Sequence, residues 1–200
     1  GLVRDWTLDS LKTLKLIDGL GVETNQRIPT LEEALLLCKD KILVNLDKSY
    51  EIFPKCYEVV KKTGTSKQTV IKGSKTRLEV EAEFGPYLDD VYFMPMLRLP
   101  NPEAKGIVDD YLDNRLPIAF EFTTKSDTIG LIQYFKTVRT RGASVWVNSL
   151  WPQHNGGHDD EKAYDDTKVY DWFIKNNIDI IQTDRPQLLI NYLRTKGLHR

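Results

Sequence analysis

The chain has 200 residues, and 40% of them are hydrophobic, which is enough for one domain with a substantial core. Its 28 basic and 29 acidic side chains give a net charge of −1 without a block of one sign, which argues against an electrostatic nucleic-acid binder. No apolar run approaches the ~20 residues that a membrane-spanning helix needs. Two sparse cysteines suit the cytoplasm and the periplasm or secretion alike, so the compartment stays open.

Short β-branched runs alternate with longer amphipathic patterns along the chain, which is typical of βα units and a parallel sheet. A helix-like stretch over Thr7–Leu16 comes first, and no strand precedes it. Thr30 with Glu33 then forms a capping box at the start of the next helix, while Asp159 and Asp184 are later cap candidates. Six runs are predicted as strands: Ile42–Lys48, Thr69–Gly73, Val91–Met96, Ile118–Phe122, Ser144–Asn148 and Asp179–Thr183.

A closed barrel fits these elements better than an open, doubly wound sheet. No glycine-rich phosphate loop follows a strand, although a nucleotide-binding open sheet would usually have one. Five of the six strands end in polar residues that can point to one place, as they do at the C-terminal mouth of a barrel. A complete barrel has eight strands and about 250 residues. We therefore expect a single α/β domain over residues 1–200, a parallel TIM-type barrel that lacks its first two or three strands.

Two charged side chains are predicted to face the interior of this barrel. Glu121 lies between Phe120 and Phe122, which face the other way, so its carboxylate needs a cation or an ion-pair partner. Lys72 lies near the end of an earlier strand, where it either contacts a ligand or extends to the surface. A structural ion pair between Glu121 and Lys72 is the alternative to a role in a site.

Five segments of the sequence carry a resemblance to a known family. They are Val3–Lys12, Arg27–Leu35, Leu43–Lys48, Val145–Asn148 and Ile180–Pro186. In this order and spacing they resemble the later part of the barrel of the glycerophosphodiester phosphodiesterase family. The match covers nearly the whole chain, and Arg27–Leu35 is its most specific motif.

The resemblance implies hydrolysis of glycerophosphodiesters to an alcohol and glycerol 3-phosphate, assisted by a divalent cation, Ca²⁺ or Mg²⁺. A cation neutralises charge on the phosphoryl oxygens, and carboxylates hold such hard ions. The residues expected to hold the metal are Asp47, Asn45 and Glu121. The residues expected to bind the substrate are Lys72, Trp146 and Asn148.

The chain also departs from the family pattern. The leading His-Arg, Glu-x-Asp and His-Asp motifs are absent, so the catalytic residues stay unassigned. The usual Glu-x-Lys of the fourth strand is replaced by Asn45 and Asp47, and either of the two could match the glutamate. His154 and His158 lie in a loop that would overhang the mouth, but their spacing matches no strong metal motif, and a polar loop is the favoured interpretation.

Three hypotheses follow. The first is a phosphoric diester hydrolase, and the alternative is a non-catalytic barrel that binds a phosphorylated polyol. In the third, another polypeptide or a second copy supplies the missing strands, because six barrel strands leave two unpaired edges that a folded protein must cover. We therefore expect the 200-residue chain to be oligomeric, rearranged or poorly soluble unless a further segment covers those edges.

Overall fold

The computed structural model describes residues 2–128 and 130–199, with the backbone alone at 131 and 133. Six parallel strands pair in sequence order and curl into a half-barrel with helices around it. These strands are β3 (Val44–Leu46), β4 (Thr69–Gly73), β5 (Tyr92–Leu99), β6 (Ala119–Thr124), β7 (Ser144–Asn148) and β8 (Ile180–Gln182). All six predicted strands are present, and the predicted TIM-type α/β fold is confirmed.

Helices connect the strands and cover the outer face of the sheet. They are α1 (Leu8–Thr13), α2 (Leu31–Cys38), α3 (Phe53–Thr63), α4 (Arg77–Phe84), α5 (Ala104–Asn114), α6 (Phe135–Thr140), α7 (Asp160–Asp165), α8 (Asp171–Lys175) and α9 (Pro186–Thr195). Thr30 and Glu33 form the predicted capping box of α2, and Asp159 caps α7 as predicted. The predicted cap at Asp184 is wrong, because α9 begins one residue later and its N-cap is Arg185.

The first 28 residues differ from the single helix predicted over Thr7–Leu16. The helix ends at Thr13, and β1 (Lys15–Ile17) then pairs antiparallel with β2 (Glu23–Arg27). The guanidinium of Arg27 donates to the backbone oxygens of Lys12 and Thr13, which fixes the end of the helix beside the hairpin. No described residue before Leu35 is buried, so this segment contributes little to the core.

The sheet separates two apolar clusters. The larger one fills the space between the strands and the helices, whereas a smaller one, formed by Val70, Met94 and Ala119, lies on the inner face of the curve. Strand register brings inward residues of neighbouring strands together, and Glu121 pairs with Met96 on one side and Trp146 on the other. Strand alternation therefore places one set of side chains in the core and the other inside the barrel.

Within the described residues, β3 and β8 each pair with one other strand, so each has a free edge. What covers these edges, whether a second copy or another segment, stays a prediction that light scattering and a thermal melt can check. No described helix is long and apolar enough to cross a membrane.

Candidate functional site

A half-buried lysine joins two carboxylates inside the half-barrel. The ammonium of Lys72 lies 2.8 Å from Glu121 Oε2 and 3.0 Å from Asp47 Oδ1. Glu121 is 2% exposed, whereas the side chain of Asp47 is largely open to solvent. Burial lowers the pKa of Lys72, but the hydrogen bonds and charges of Glu121 and Asp47 outweigh it, and the pKa is raised overall. Lys72 is therefore a stable cation at neutral pH.

The ion pairs of Lys72 also determine how the predicted metal ligands Asp47 and Glu121 are arranged. Lys72 occupies the position between Asp47 and Glu121 where a shared cation would lie. Asn45 lies on the inner face of β3, and its Oδ1 is buried without a hydrogen-bond partner among the described residues. In the part of the chain that the structure describes, no group of three or more His, Cys, Asp or Glu side chains could hold a metal ion. Ca²⁺ takes 6–8 oxygen ligands, so Asp47, Asn45 and Glu121 as arranged supply only part of such a shell, and a divalent cation here stays a prediction.

The two remaining predicted residues lie on β7. Trp146 packs against the inner apolar cluster, and its indole donates to Gln182 Oε1 at 3.3 Å. Asn148 is buried, and its Oδ1 lies 3.0 Å from His154 Nδ1. Asn148 therefore holds the loop that follows its own strand, and Trp146 closes the inside of the barrel beneath the mouth.

Two cationic or titratable side chains that were not predicted as site residues also lie at this mouth. Arg98 is near the end of β5 on the same face as Met94 and Met96, it is exposed, and no described residue forms an ion pair or hydrogen bond with it. His154 is half-buried on the loop after β7. Burial lowers the pKa of His154, and the charges of Arg98 and Lys72 lower it further against the opposite effect of Glu121.

The second histidine of the loop lies elsewhere. His158 Nε2 is 3.2 Å from Asp127 Oδ2, and its ring stacks on Trp172 with centroids 4.7 Å apart. These contacts tie the loop after β7 to the loop after β6 and to α8. His158 therefore does not join His154 in a metal centre.

Comparison with known proteins places the chain in a family. The model of DUF4996, described as a domain of unknown function, matches residues 93–193. The chain belongs to the DUF4996 family. No curated protein matches it.

Solved structures similar to this DUF4996 chain are glycerophosphodiester phosphodiesterases by name. One is a glycerophosphoryl diester phosphodiesterase from Parabacteroides distasonis ATCC 8503, with a TM-score of 0.76 and 22% identity, covering 98% of this chain and 66% of that chain. Another is a protein assigned as a glycerophosphodiester phosphodiesterase in Galdieria sulphuraria, with a TM-score of 0.68 and 17% identity over 97% of this chain and 72% of that chain. The first comparison spans less than two thirds of the other protein's length, and identities this low establish the shared fold alone.

A cavity of about 340 Å³ opens beside Lys72 at the mouth of the DUF4996 half-barrel. Three lysines line it, Lys48, Lys72 and Lys75. Two acids, Asp47 and Glu51, line it as well, together with Tyr50, Gly73, Ser74 and Met96. Cationic side chains around a cleft attract anions, and ammonium and guanidinium groups bind phosphate well. The arrangement can therefore bind a phosphorylated ligand.

Arg98 was missed because the predicted strand ended at Met96. The strand continues to Leu99, since Leu97 and Leu99 are buried in the core under the helices while Met96 and Arg98 face the other side. The alternation of Met94, Met96 and Arg98 was the signal in the sequence that could have found this residue.

Proposed function

We propose that this chain forms the later part of a phosphodiesterase barrel, whose mouth binds a glycerophosphodiester and hydrolyses it to an alcohol and glycerol 3-phosphate. The observation that carries the proposal is the half-buried ammonium of Lys72 near the end of β4, paired with Glu121 and Asp47. An ammonium has three donors. Two of them serve the carboxylates, so one is left for a phosphoryl oxygen.

Arg98 would supply the second contact to the phosphate. It projects from the neighbouring strand β5, and its planar guanidinium can give two parallel hydrogen bonds to a phosphate group. Charge neutralisation on the phosphoryl oxygens is what a diester anion requires before a nucleophile can approach. Trp146 and Asn148 would bound the glycerol side of the pocket, as the sequence predicts.

The divalent cation stays part of the proposal only as an added component. A bound Ca²⁺ or Mg²⁺ supplies further charge neutralisation at the phosphoryl oxygens. Because Lys72 lies between Asp47 and Glu121, a cation would share these carboxylates only if the ammonium moved away. The chemistry assigned above to Lys72 and Arg98 does not depend on that exchange.

The second candidate function is a non-catalytic barrel that binds a phosphorylated polyol. It is favoured by the position of Lys72, which gives the two carboxylates a cationic partner within the protein itself. In this hypothesis the mouth keeps its affinity for the phosphate and releases no product.

The test is release of glycerol 3-phosphate from glycerophosphocholine and glycerophosphoethanolamine, with Ca²⁺, Mg²⁺ or EDTA, beside calorimetric binding of glycerol 3-phosphate. We expect turnover, and a loss of about ten-fold or more in kcat/KM in Lys72→Met, which is about 1.4 kcal/mol of transition-state stabilisation. Lys67→Met is the matched control, because Lys67 lies just before β4 and donates to Asp89 at the surface. Binding without turnover would favour the non-catalytic barrel. The absence of both binding and turnover would contradict both candidates.

A further inference from the structure

The loop after β7 is held rigidly over the mouth. Asn155 is fully buried, and its side-chain amide donates to the backbone oxygens of Asn148 and Trp151. The next residue, Gly156, donates its backbone N–H to the Thr124 oxygen at the end of β6. With a φ of +67°, Gly156 lies so close to Asp127 that a Cβ there would be 2.6 Å from its backbone nitrogen. The loop is therefore fixed to both β6 and β7.

This fixed loop sets the orientation of the His154 ring. Nδ1 lies 3.0 Å from Asn148 Oδ1, and the ring meets Trp151 edge-on with centroids 5.3 Å apart. When the amide oxygen of Asn148 accepts, Nδ1 carries the proton and Nε2 is left with its lone pair. No residue that the structure describes forms a hydrogen bond with Nε2.

The charges around His154 come from three strands. Lys72 on β4, Arg98 on β5 and Glu121 on β6 all act on the imidazole, and the two cations oppose its protonation. Burial acts in the same direction and is the largest effect. The ring is consequently neutral near pH 7, and the charges that act on it include both side chains assigned to the phosphate.

We propose that His154 Nε2 contacts the phosphoryl group and accepts a proton from the attacking water. This inference rests on the proposed function. In the step, the water oxygen forms a bond to phosphorus while one of its protons moves to Nε2, and the bond from phosphorus to the alcohol oxygen breaks. The alkoxide takes a proton from solvent, and the imidazolium returns its proton to solvent. The products are the alcohol and glycerol 3-phosphate, without oxidation or reduction.

The kinetic test compares two histidines of the same loop. We expect His154→Gln to lower kcat by about 100-fold, which is typical of a lost general base, with KM changed far less. His158→Gln is the control, because His158 contacts Asp127 and Trp172 instead of the mouth. The fall of kcat on the acidic side of the pH profile should also disappear in His154→Gln alone. Unchanged kcat in His154→Gln, in a variant that melts like the parent, would overturn the assignment.

A second readout does not require turnover. In NMR spectra of the full chain, glycerol 3-phosphate should shift the His154 ring resonances and move their titration to higher pH, since a bound anion favours the imidazolium. The His158 resonances should move little. Absence of turnover in the parent protein would contradict the proposed hydrolysis. The contact of His154 with phosphate would then be tested by the NMR titration alone. Equal shifts of the His154 and His158 resonances, or no shift of either, would overturn the proposed contact between His154 and phosphate.

Discussion

Among the buried carboxylates of the described residues, Asp160 and Glu121 differ most clearly in their partners. Asp160, at the start of α7, is 5% exposed, and the donors to it among the described residues are all uncharged. The donors are Ser149 Oγ at 2.7 Å, Thr183 Oγ1 at 2.8 Å, Tyr170 OH at 3.2 Å and the backbone N–H of Asp184 at 2.8 Å. Glu121 is 2% exposed, and its one partner among the described residues is the ammonium of Lys72.

The difference separates a structural carboxylate from a candidate site carboxylate. Four neutral donors from different segments fix Asp160 and thereby join the ends of β7 and β8 to α7. Glu121 instead holds a cation that also contacts the solvent-exposed Asp47. The ammonium of Lys72 has a third donor that neither carboxylate uses. Buried charge is expensive in both places, but only the second arrangement leaves a donor for a ligand.

The largest expected effect is on stability at Asp160. Asp160→Ala leaves several buried donors without an acceptor, and we expect the free energy of unfolding to fall by about 4 kcal/mol. Urea denaturation measures this loss. Asp165→Ala, at an exposed position of the same helix, should change stability by less than ~0.5 kcal/mol. A loss of less than about 1 kcal/mol of unfolding free energy in Asp160→Ala would contradict the structural role assigned to Asp160.

The ion pair inside the barrel should behave differently. Lys72→Met leaves the Glu121 carboxylate buried without its cation, and we expect a loss of about 3 kcal/mol in the free energy of unfolding. The double variant Lys72→Met/Glu121→Leu replaces the pair by apolar groups and should regain most of that stability. Both are measured by the same denaturation experiment. Failure of the double variant to recover would mean that the pair holds the fold together as Asp160 does.

The smallest expected effect concerns one donor to Asp160. Tyr170→Phe removes a single buried hydrogen bond and should cost about 1 kcal/mol of unfolding free energy. Burial, with the nearby charge of Asp160, raises the pKa of Tyr170 to about 12.

A pH series sharpens the same prediction. An unfolded tyrosine titrates near pH 10, so between pH 10 and about 12 the folded chain holds a proton that the unfolded chain has lost. The contribution of Tyr170 to stability is therefore complete below pH 10 and declines as the pH rises through this window. The decline should be less steep in Tyr170→Phe, and equal slopes in the two proteins would contradict the assignment.

Much of the fold could be predicted because its signals are local. Each strand is a short, mainly apolar run, and the neighbours Phe120 and Phe122 already indicate that Glu121 faces inward. The pair of Glu121 with Lys72 was foreseen as one of two alternatives for the same reason. The short exposed hairpin was missed, since strands of this kind lack an apolar alternation that distinguishes them from a helix end.

Other features depend on contacts that are distant in sequence. The sequence around His154 predicts only a polar loop. The position of this loop over the mouth results from hydrogen bonds to Asn148 and to the end of β6. Asp184 has the right residue type for a helix cap, but α9 begins at Pro186 with Arg185 as its N-cap, and the backbone N–H of Asp184 donates to Asp160. Strand length at Arg98 depends on burial of Leu99 against the helices. Apart from the alternation of Met94, Met96 and Arg98, local sequence patterns carry none of this information.

The most direct test of the central claim is calorimetric titration of glycerol 3-phosphate into the parent chain and into Lys72→Met/Glu121→Leu. The double variant should stay folded, so any change in affinity reports on the mouth and not on stability. We expect the parent to bind and the double variant to bind about ten-fold or more weakly, a difference of about 1.4 kcal/mol. Equal affinity in the two folded proteins would contradict the claim that Lys72 and Glu121 form a phosphate site.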